Sequence, residues 1–478
     1  MQQRGAILAK YELLAAQIRH QIARGVWGEH EKLPSLRRQS EQSGYSLMTV
    51  LSAYQLLESQ GLIYSRSRSG YRVTPSAENA TAPLIRTSEM VSINDFVFDV
   101  LQASRDPLMY SLGFAYPDPG LYPRQQLSKS MTVAARELSV RNMLDNMPPG
   151  NEHLRKIIAR RYAARGIEIS PDEIVITAGA LEALSLSLQA TTQPGDWVVI
   201  ESPAFYGAMQ ALERLGLKAI TVKVSPEEGL DVNALERAFQ QHPVKACWLM
   251  SSYQNPVGYS LSEEQKRKTA ALVSQYQVAL IEDDVYCELY PANQPPSPIR
   301  YYVPDGESML CSSFSKTLVA GYRIGWVVAG KRAQDIQRCQ LMSTMATSVP
   351  VQLALADYLS GKNYEAHLRQ LRRKLAARKQ AMFSFMSEIL EGIAVVYYQP
   401  GGYFLWIECQ PDVDTMEIYR QALTLSMTIA PGRMFSLSDD FRHCFRINAS
   451  FELNEARKVQ LKRLSSIISD LSTVQRES

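Results

Sequence analysis

Hydrophobic positions in the first 75 residues recur at helical spacing three times and then shift to short strand-like runs. Leu14, Ile18 and Ile22 share one side of a helix over residues 11–24. In LPSLRRQSEQSGYSLMTVLSAYQLLESQG (33–61), Ser35 follows Pro34 and caps a helix reaching about Ser43, where Gly44 supplies a left-handed turn. Ser46 caps a second helix that Gly61 ends, with Val50, Ala53, Tyr54 and Leu57 on its inward face. LIYS and YRV then flank a basic tip, Arg66-Ser-Arg68-Ser-Gly70. Residues 76–105 open with SAENATAP, small and polar without a period, and read as a linker in which VSINDFVFDVL suits a short helix. GFAYPDPGLYP (113–123) is too rich in Pro and Gly for an element interior. From 150 to about 345, the runs EIVITAG, WVVIESP, KACWLMSS, VALIEDD and SMLCSSFSK alternate with helical stretches, which predicts βαβ units and a mostly parallel sheet. The C-terminal part combines a basic helical stretch (364–390) with VVYYQPGGYFLWIECQ and CFRINASF, the pattern of a smaller α+β domain.

Composition adds little until it is divided. The 478 residues are 46% apolar and 21% charged, an ordinary globular balance with room for two or three domains. Residues 1–75, however, hold ten Lys or Arg against five Glu, a net +5 in a chain whose total is +3. A basic head on a near-neutral body points to a polyanion partner for the head alone. The six cysteines, at 247, 287, 311, 339, 409 and 444, form no CxxC pair or Cys/His cluster, so neither a zinc site nor a disulfide framework is expected. No apolar run reaches the length of a membrane span, and the first thirty residues lack a leader pattern, so a cytoplasmic location without membrane partners is expected.

Helix, helix, turn, helix, hairpin is the order of a winged helix-turn-helix. The string LPSLR…S-x-x-TV…AY..L…GLI…R…G-x-x-V resembles the GntR family of bacterial regulators over about 65 residues. The resemblance implies double-stranded DNA as partner. It implies contacts from Arg37, from Ser46, Met48 and Thr49 at the start of the recognition helix, and from Arg66 and Gly70 in the wing. Where the family usually carries a basic residue early in that helix, this chain has Leu47 beside Met48. Apolar contact with a thymine methyl is therefore expected more than Arg–guanine pairing.

Five motifs follow in the body. In VITAGALEAL (175–184) a strand runs through Gly179 into a helix, whose first N–H groups, at Gly179, Ala180 and Leu181, suit a phosphate. ESPAFYG (201–207) carries adjacent aromatics, and SSYQNPVG (251–258) by itself reads as a turn. ALIEDDVYCEL (279–289) ends an apolar strand in three acids, which need a compensating cation. SSFSKTLVAGYRIGW (312–326) sets Lys316 between apolar segments near Arg323, where desolvation eases loss of the amine proton.

In this order the motifs resemble the fold-type I pyridoxal-phosphate enzymes across about residues 106–478. The resemblance implies that Lys316 forms a Schiff base with pyridoxal 5'-phosphate. It implies that Asp283 rather than Asp284 pairs with the pyridine nitrogen and that Asn255 and Tyr286 bond the ring hydroxyl. Phe205, with Tyr206 as the alternative, stacks on the ring; Ser313, Ser315 and Arg323 bind the phosphate. Leu181 stands where the family often has Gln, which removes one side-chain contact. Arg446, in CFRINASF after PGGYFLW, matches the Arg that grips a substrate carboxylate, and GFAYPDPGLYP resembles the arm that lines the site.

A GntR-like head on an aminotransferase-like body resembles the MocR subgroup. The fold expected is therefore α/β: a winged helix-turn-helix (1–75), a linker (76–105), and an aminotransferase-like domain (106–478) with a large α/β part and a smaller α+β part. The function implied is a homodimeric transcriptional regulator that answers an amine or amino-acid effector by aldimine exchange at Lys316. The alternative is an active aminotransferase with an appended DNA-binding head.

Overall fold

The computed structural model describes residues 10–23, 27–28, 30–66, 70–74, 93–103, 109–139, 147–291, 295–303, 308–361 and 363–474. The chain divides into two compact units, Met1–Glu89 and Met90–Ser478.

The head comprises α1 (Lys10–Ala23), α2 (Leu36–Ser43), α3 (Leu47–Ser59) and a hairpin, β1 (Ile63–Arg66) and β2 (Gly70–Val73). Both expected caps form: Ser35 accepts from Arg38 N at 3.3 Å and Ser46 from Thr49 N at 3.2 Å. Gly44 takes φ +71°, a conformation that would strain a side-chain-bearing residue, and so turns α2 into α3. Val50, Ala53, Tyr54 and Leu57 bury against Leu14, Ile18, Ile63 and Val73, while Ile22 packs only partly buried at the edge of this core. The hairpin pairs Ile63 with Val73 and Arg66 with Gly70; its tip, residues 67–69, lies outside the described residues.

In the second unit, Ile93–Ala103 is a helix whose Val97 and Val100 bury in the same apolar cluster as Phe435 and Met427. The end of the stretch read as a linker is thus built into the body. The SAENATAP segment lies outside the described residues. β3 (Tyr110–Ser111) follows, and then the large sheet. In chain order its strands are β4 (Ile174–Thr177), β5 (Trp197–Ser202), β6 (Lys218–Ser225), β7 (Gly229–Leu230), β8 (Val244–Leu249), β9 (Ala279–Asp283), β10 (Ser308–Ser313) and β11 (Gly325–Val328). The spatial order is β4-β11-β10-β9-β8-β5-β6-β7. β10, β9, β8, β5 and β6 run parallel, and β11 is antiparallel to both β10 and β4. Strands β4, β9, β10 and β11 are buried at every position, which explains their unbroken apolar runs: helices cover both faces.

The smaller part carries an antiparallel sheet, β12 (Ala394–Tyr397), β13 (Phe404–Cys409), β16 (Cys444–Asn448) and β15 (Ala430–Pro431) in that spatial order. The basic stretch is one long helix, Asn363–Ile389. β14 (Met427–Thr428) pairs in parallel with β3, so the chain enters the body as an added strand of the smaller part. The C-terminal ends of β4, β5, β9 and β10 share one edge of the large sheet, the place where open α/β sheets bind ligands. No helix among the described residues is long and apolar enough to cross a membrane.

Candidate functional site

A cavity of about 450 Å³ opens at that edge. Lys316 enters it from the short turn Phe314–Lys316 that follows β10. Its Nζ donates to the carbonyl of Ala115 at 2.6 Å and lies 4.2 Å from the centre of the Tyr116 ring. Burial, reinforced by the cations Arg446 and Arg323 and opposed by Asp283, lowers the amine to about 7. An appreciable share is therefore uncharged and nucleophilic near neutrality, as carbonyl chemistry at a lysine requires.

Asp283, the last residue of β9, faces the same cavity, and burial raises its carboxyl to about 7. Its Oδ1 has no hydrogen-bond partner among the described residues. The three acids at this strand end are divided, because alternation turns Asp283 away from Glu282 and Asp284, which both feel the buried Lys266. Glu282 accepts from Ile299 N at 2.8 Å, from Arg300 N at 3.1 Å and from Ser251 Oγ. Asp284 faces Arg165, 4.0 Å away. Asp283 alone of the three faces the cavity.

Glycine shapes the helix start that adjoins the cavity. Gly179 has φ +98° and starts the helix Ala180–Gln189; a Cβ on it would sit 2.4 Å from Arg323 Nη2. Gly325, opening β11, lies so close to that helix start that its own Cβ would meet Gly179 C at 2.5 Å and Ala180 N at 2.6 Å. Ser313 and Ser315 are buried beside it, and Ser315 Oγ has no partner among the described residues. Arg323 itself adopts a left-handed backbone, φ +51°, and donates to Ala178 O at 3.2 Å. Amide N–H groups at a helix start, two hydroxyls and a guanidinium suit a phosphate dianion. These residues, with the orphaned Asp283 Oδ1 and the amine of Lys316, fit pyridoxal 5'-phosphate.

Phe205 and Tyr206 both line the cavity, their rings 4.7 Å apart, so the alternative between them stays open. Tyr286 lies 5.8 Å from Tyr403 and 5.6 Å from Phe404, ring centre to ring centre, and burial raises its phenol. Leu181 is exposed on the cavity rim, where it offers no polar contact. Arg446, on β16, is 1% exposed and packs its guanidinium 4.3 Å from the Phe404 ring centre. It donates to Asn255 Oδ1 and to Gly113 O, at 2.5 Å for the latter. The GFAYPDPG segment is thus fixed from the smaller part, since Asn448 Nδ2 also donates to Phe114 O at 3.0 Å and Tyr116 O at 2.6 Å.

In the head, Arg37 on α2 and Met48 at the start of α3 are exposed, with Gly70 exposed in the hairpin and Arg66 ending β1. Ser46 and Thr49, expected as DNA contacts, are joined to each other: their hydroxyls lie 2.9 Å apart and Ser46 Oγ takes Thr49 N. The N-cap of α3 therefore engages both.

With this geometry in hand, the chain's relatives can be placed. Residues 10–73 match the family of bacterial regulatory proteins of the gntR type, and residues 121–458 match aminotransferase class I and II. The HTH-type transcriptional regulator YdcR of Escherichia coli is 51% identical over 97% of this chain and 100% of its own length. The chain belongs to the MocR subgroup of GntR-family transcriptional regulators. A second Escherichia coli regulator, YjiR, is 33% identical over 96% of the chain and 99% of its own. The body of this MocR regulator has the fold of LysN, an α-aminoadipate aminotransferase of Thermus thermophilus complexed with N-(5'-phosphopyridoxyl)-L-leucine, with a TM-score of 0.72, 23% identity and coverage of 80% of this chain and 96% of that one. A multiple substrate aminotransferase from Thermococcus profundus gives 0.73 at 24% identity, covering 82% and 96%. These likenesses fix the fold.

The structure brings Ala180, Leu181, Phe205, Asn255, Asp283, Tyr286, Ser313, Ser315, Lys316 and Arg323 around one cavity, with Gly179 and Arg446 directly behind it. Sequence reasoning missed Tyr116, whose ring lies against Lys316, and Tyr403, whose hydroxyl donates to Ala115 O at 2.9 Å. Both lie inside strings already singled out, GFAYPDPG and PGGYFLW, but a contact across 288 residues leaves no local signal. Glu201, in ESP, was also passed over: it is buried, raised to about 7 by burial, and takes Tyr259, Met250 N and Gln254.

Proposed function

We propose that this regulator holds pyridoxal 5'-phosphate on Lys316 and uses it to read a carboxylate-bearing primary amine, an amino acid being the simplest case. The observation that carries the reading is the meeting of three features in one cavity. They are an amine lowered to about 7, a buried carboxylate oxygen without a partner, and a glycine-walled cradle beside a guanidinium. The bound cofactor would supply an aldehyde carbon that a primary amine can take over from lysine. Lys316 presents the amine, Asp283 holds a proton at the ring nitrogen, Asn255 and Tyr286 face the ring hydroxyl, and Phe205 or Tyr206 covers a ring face. Gly179, Ala180, Leu181, Ser313, Ser315 and Arg323 hold the phosphate. Arg446, a buried guanidinium bonded to neutral oxygens, gains most from a ligand that brings a negative charge.

DNA contacts in this reading come from Arg37, Met48, Arg66 and Gly70, with Ser46 and Thr49 at the helix start. A homodimer in the cytoplasm is part of it. Met342 is 89% exposed and Met345 59%, apolar surface that a second copy would cover. A second reading, turnover as an aminotransferase, is favoured by the presence of Lys316, Asp283, Arg323 and Arg446 together, and a keto-acid assay separates the two.

The test is covalent. Protein mixed with pyridoxal 5'-phosphate and reduced with borohydride should carry the label on the peptide containing Lys316, and Lys316→Ala should carry none. Label on another lysine in both proteins would refute the assignment.

A further inference from the structure

We propose that the head reads thymine methyl groups through Leu47 and Met48, so that its half-site is built around adjacent T·A pairs. The inference rests on the DNA-binding reading above and concerns what the recognition helix recognises.

At 100° per residue, Val50, Ala53, Tyr54 and Leu57 occupy the buried arc of α3. The opposite arc carries Met48, Ser52, Gln55 and Ser59, with Leu51 at its edge; Leu47 projects about 60° from Val50, beside the buried arc, and is exposed because it opens the helix. Leu47 is 48% exposed and Met48 69%, large values for apolar side chains in the first turn of a helix. Leu51 and Ser52 are half-buried behind them. The helix LMTVLSAYQLLES contains no Lys or Arg, and its one charged residue, Glu58, accepts from Ser65 N at 2.9 Å. The hydroxyls of Ser46 and Thr49 are joined in the cap. The exposed face at the helix start therefore carries no cation and no acid among the described residues, and the hydroxyls of Ser46 and Thr49 are turned to the cap. Gln55 is its long polar side chain, about 12 Å farther along the axis at 1.5 Å per residue.

Arg37 and Arg38, both exposed at the start of α2, supply positive charge in the same unit. Such a combination matches one surface well: phosphates for the arginines and an apolar base edge for the helix start. In the major groove the C5 methyl of thymine is the apolar feature that base pairs present. Burying one methyl against Leu or Met is worth about fourfold in affinity, from about 0.8 kcal/mol per buried carbon. Two adjacent contacts in each of two half-sites would then dominate selectivity, while the phosphate contacts supply strength without sequence.

Uracil isolates the contact because it pairs as thymine does and lacks only the methyl. Full-length protein should select a common sequence from a random duplex pool, and that sequence should carry adjacent thymines. Replacing each contacted thymine by uracil should weaken binding about fourfold, and the slope of affinity against salt should not change. Leu47→Ala and Met48→Ala should bring the thymine and uracil duplexes closer to equal by lowering affinity for the thymine duplex more than for the uracil one. Equal affinity of the wild type for thymine and uracil duplexes, or a selected core of G·C pairs without thymine, would overturn the inference and leave DNA binding standing. Absence of salt-dependent binding to any duplex would overturn both.

Discussion

Lys316 and Asp283 are brought to the same range by the same first cause, and the consequences are opposite. Burial makes the lysine give up its proton more readily and the aspartic acid keep one longer. For the lysine the sign is clear: with the amine lowered to about 7, the uncharged nucleophile is present above that pH and is lost below it. The rate of reconstitution with pyridoxal 5'-phosphate should therefore rise through about pH 7 and then level. A rise continuing to about pH 10, the range of a solvated lysine, would contradict the desolvated site. Arg446 makes a separate prediction. Arg446→Ala should keep the covalent cofactor and basal duplex affinity and lose the response to amines bearing a carboxylate, read by titrating duplex binding with and without the amine. An unchanged response would place carboxylate recognition elsewhere. The identities of these residues were legible in the sequence because each sits in a short string with fixed spacing. The division of labour among Glu282, Asp283 and Asp284 was not, since it depends on which way each side chain turns at the end of β9 and on partners 17 to 119 residues away.

At the level of elements, the head was the most legible part, because its caps and turns are local devices. Ser35, Gly44, Ser46 and the buried face of α3 all act within a few residues of one another. Ser46→Ala should cost the head about 1 kcal/mol by leaving the first N–H groups of α3 without an acceptor, whereas Ser46→Gly should cost only a few tenths. Denaturant unfolding followed by a probe in the head checks both, and equal losses would contradict the capping role. Gly179 bears on the body. Gly179→Ala forces a side chain into φ +98° and against Arg323, a strain of about 1–3 kcal/mol. The protein should remain folded with weakened affinity for pyridoxal 5'-phosphate, measurable by absorbance titration; wild-type affinity would mean that this helix start does not hold the phosphate. The residues of the GFAYPDPG segment read only as irregular, and its place beside the site came from the resemblance alone. Its conformation is dictated by Asn448, Arg446 and Tyr403, far along the chain, so its role in covering Lys316 had to wait for the fold.

Across the whole molecule, alternating strand and helix patterns were enough to predict a mostly parallel sheet, and the change of pattern near residue 364 was enough to predict a smaller part. Strand order was beyond such reasoning: β11 enters antiparallel between β4 and β10, which sets Gly325 against the start of the helix Ala180–Gln189. The helix Ile93–Ala103 was ambiguous for a similar reason, as Val97 and Val100 gain their meaning only from residues such as Phe435. In the proposed function the head meets DNA and the body an amine, and the two binding events are coupled. Coupling free energies of this kind commonly reach about 1–3 kcal/mol, or roughly 5–150-fold in affinity. The direct measurement is a titration of a protein-selected duplex with cofactor-loaded wild type and with Lys316→Ala, each with and without a panel of amino acids. The account predicts that at least one amino acid shifts the duplex affinity of the wild type by several-fold and that Lys316→Ala does not respond. A shift of the same size in Lys316→Ala, or none in the wild type with any amino acid that alters the cofactor's spectrum, would contradict it.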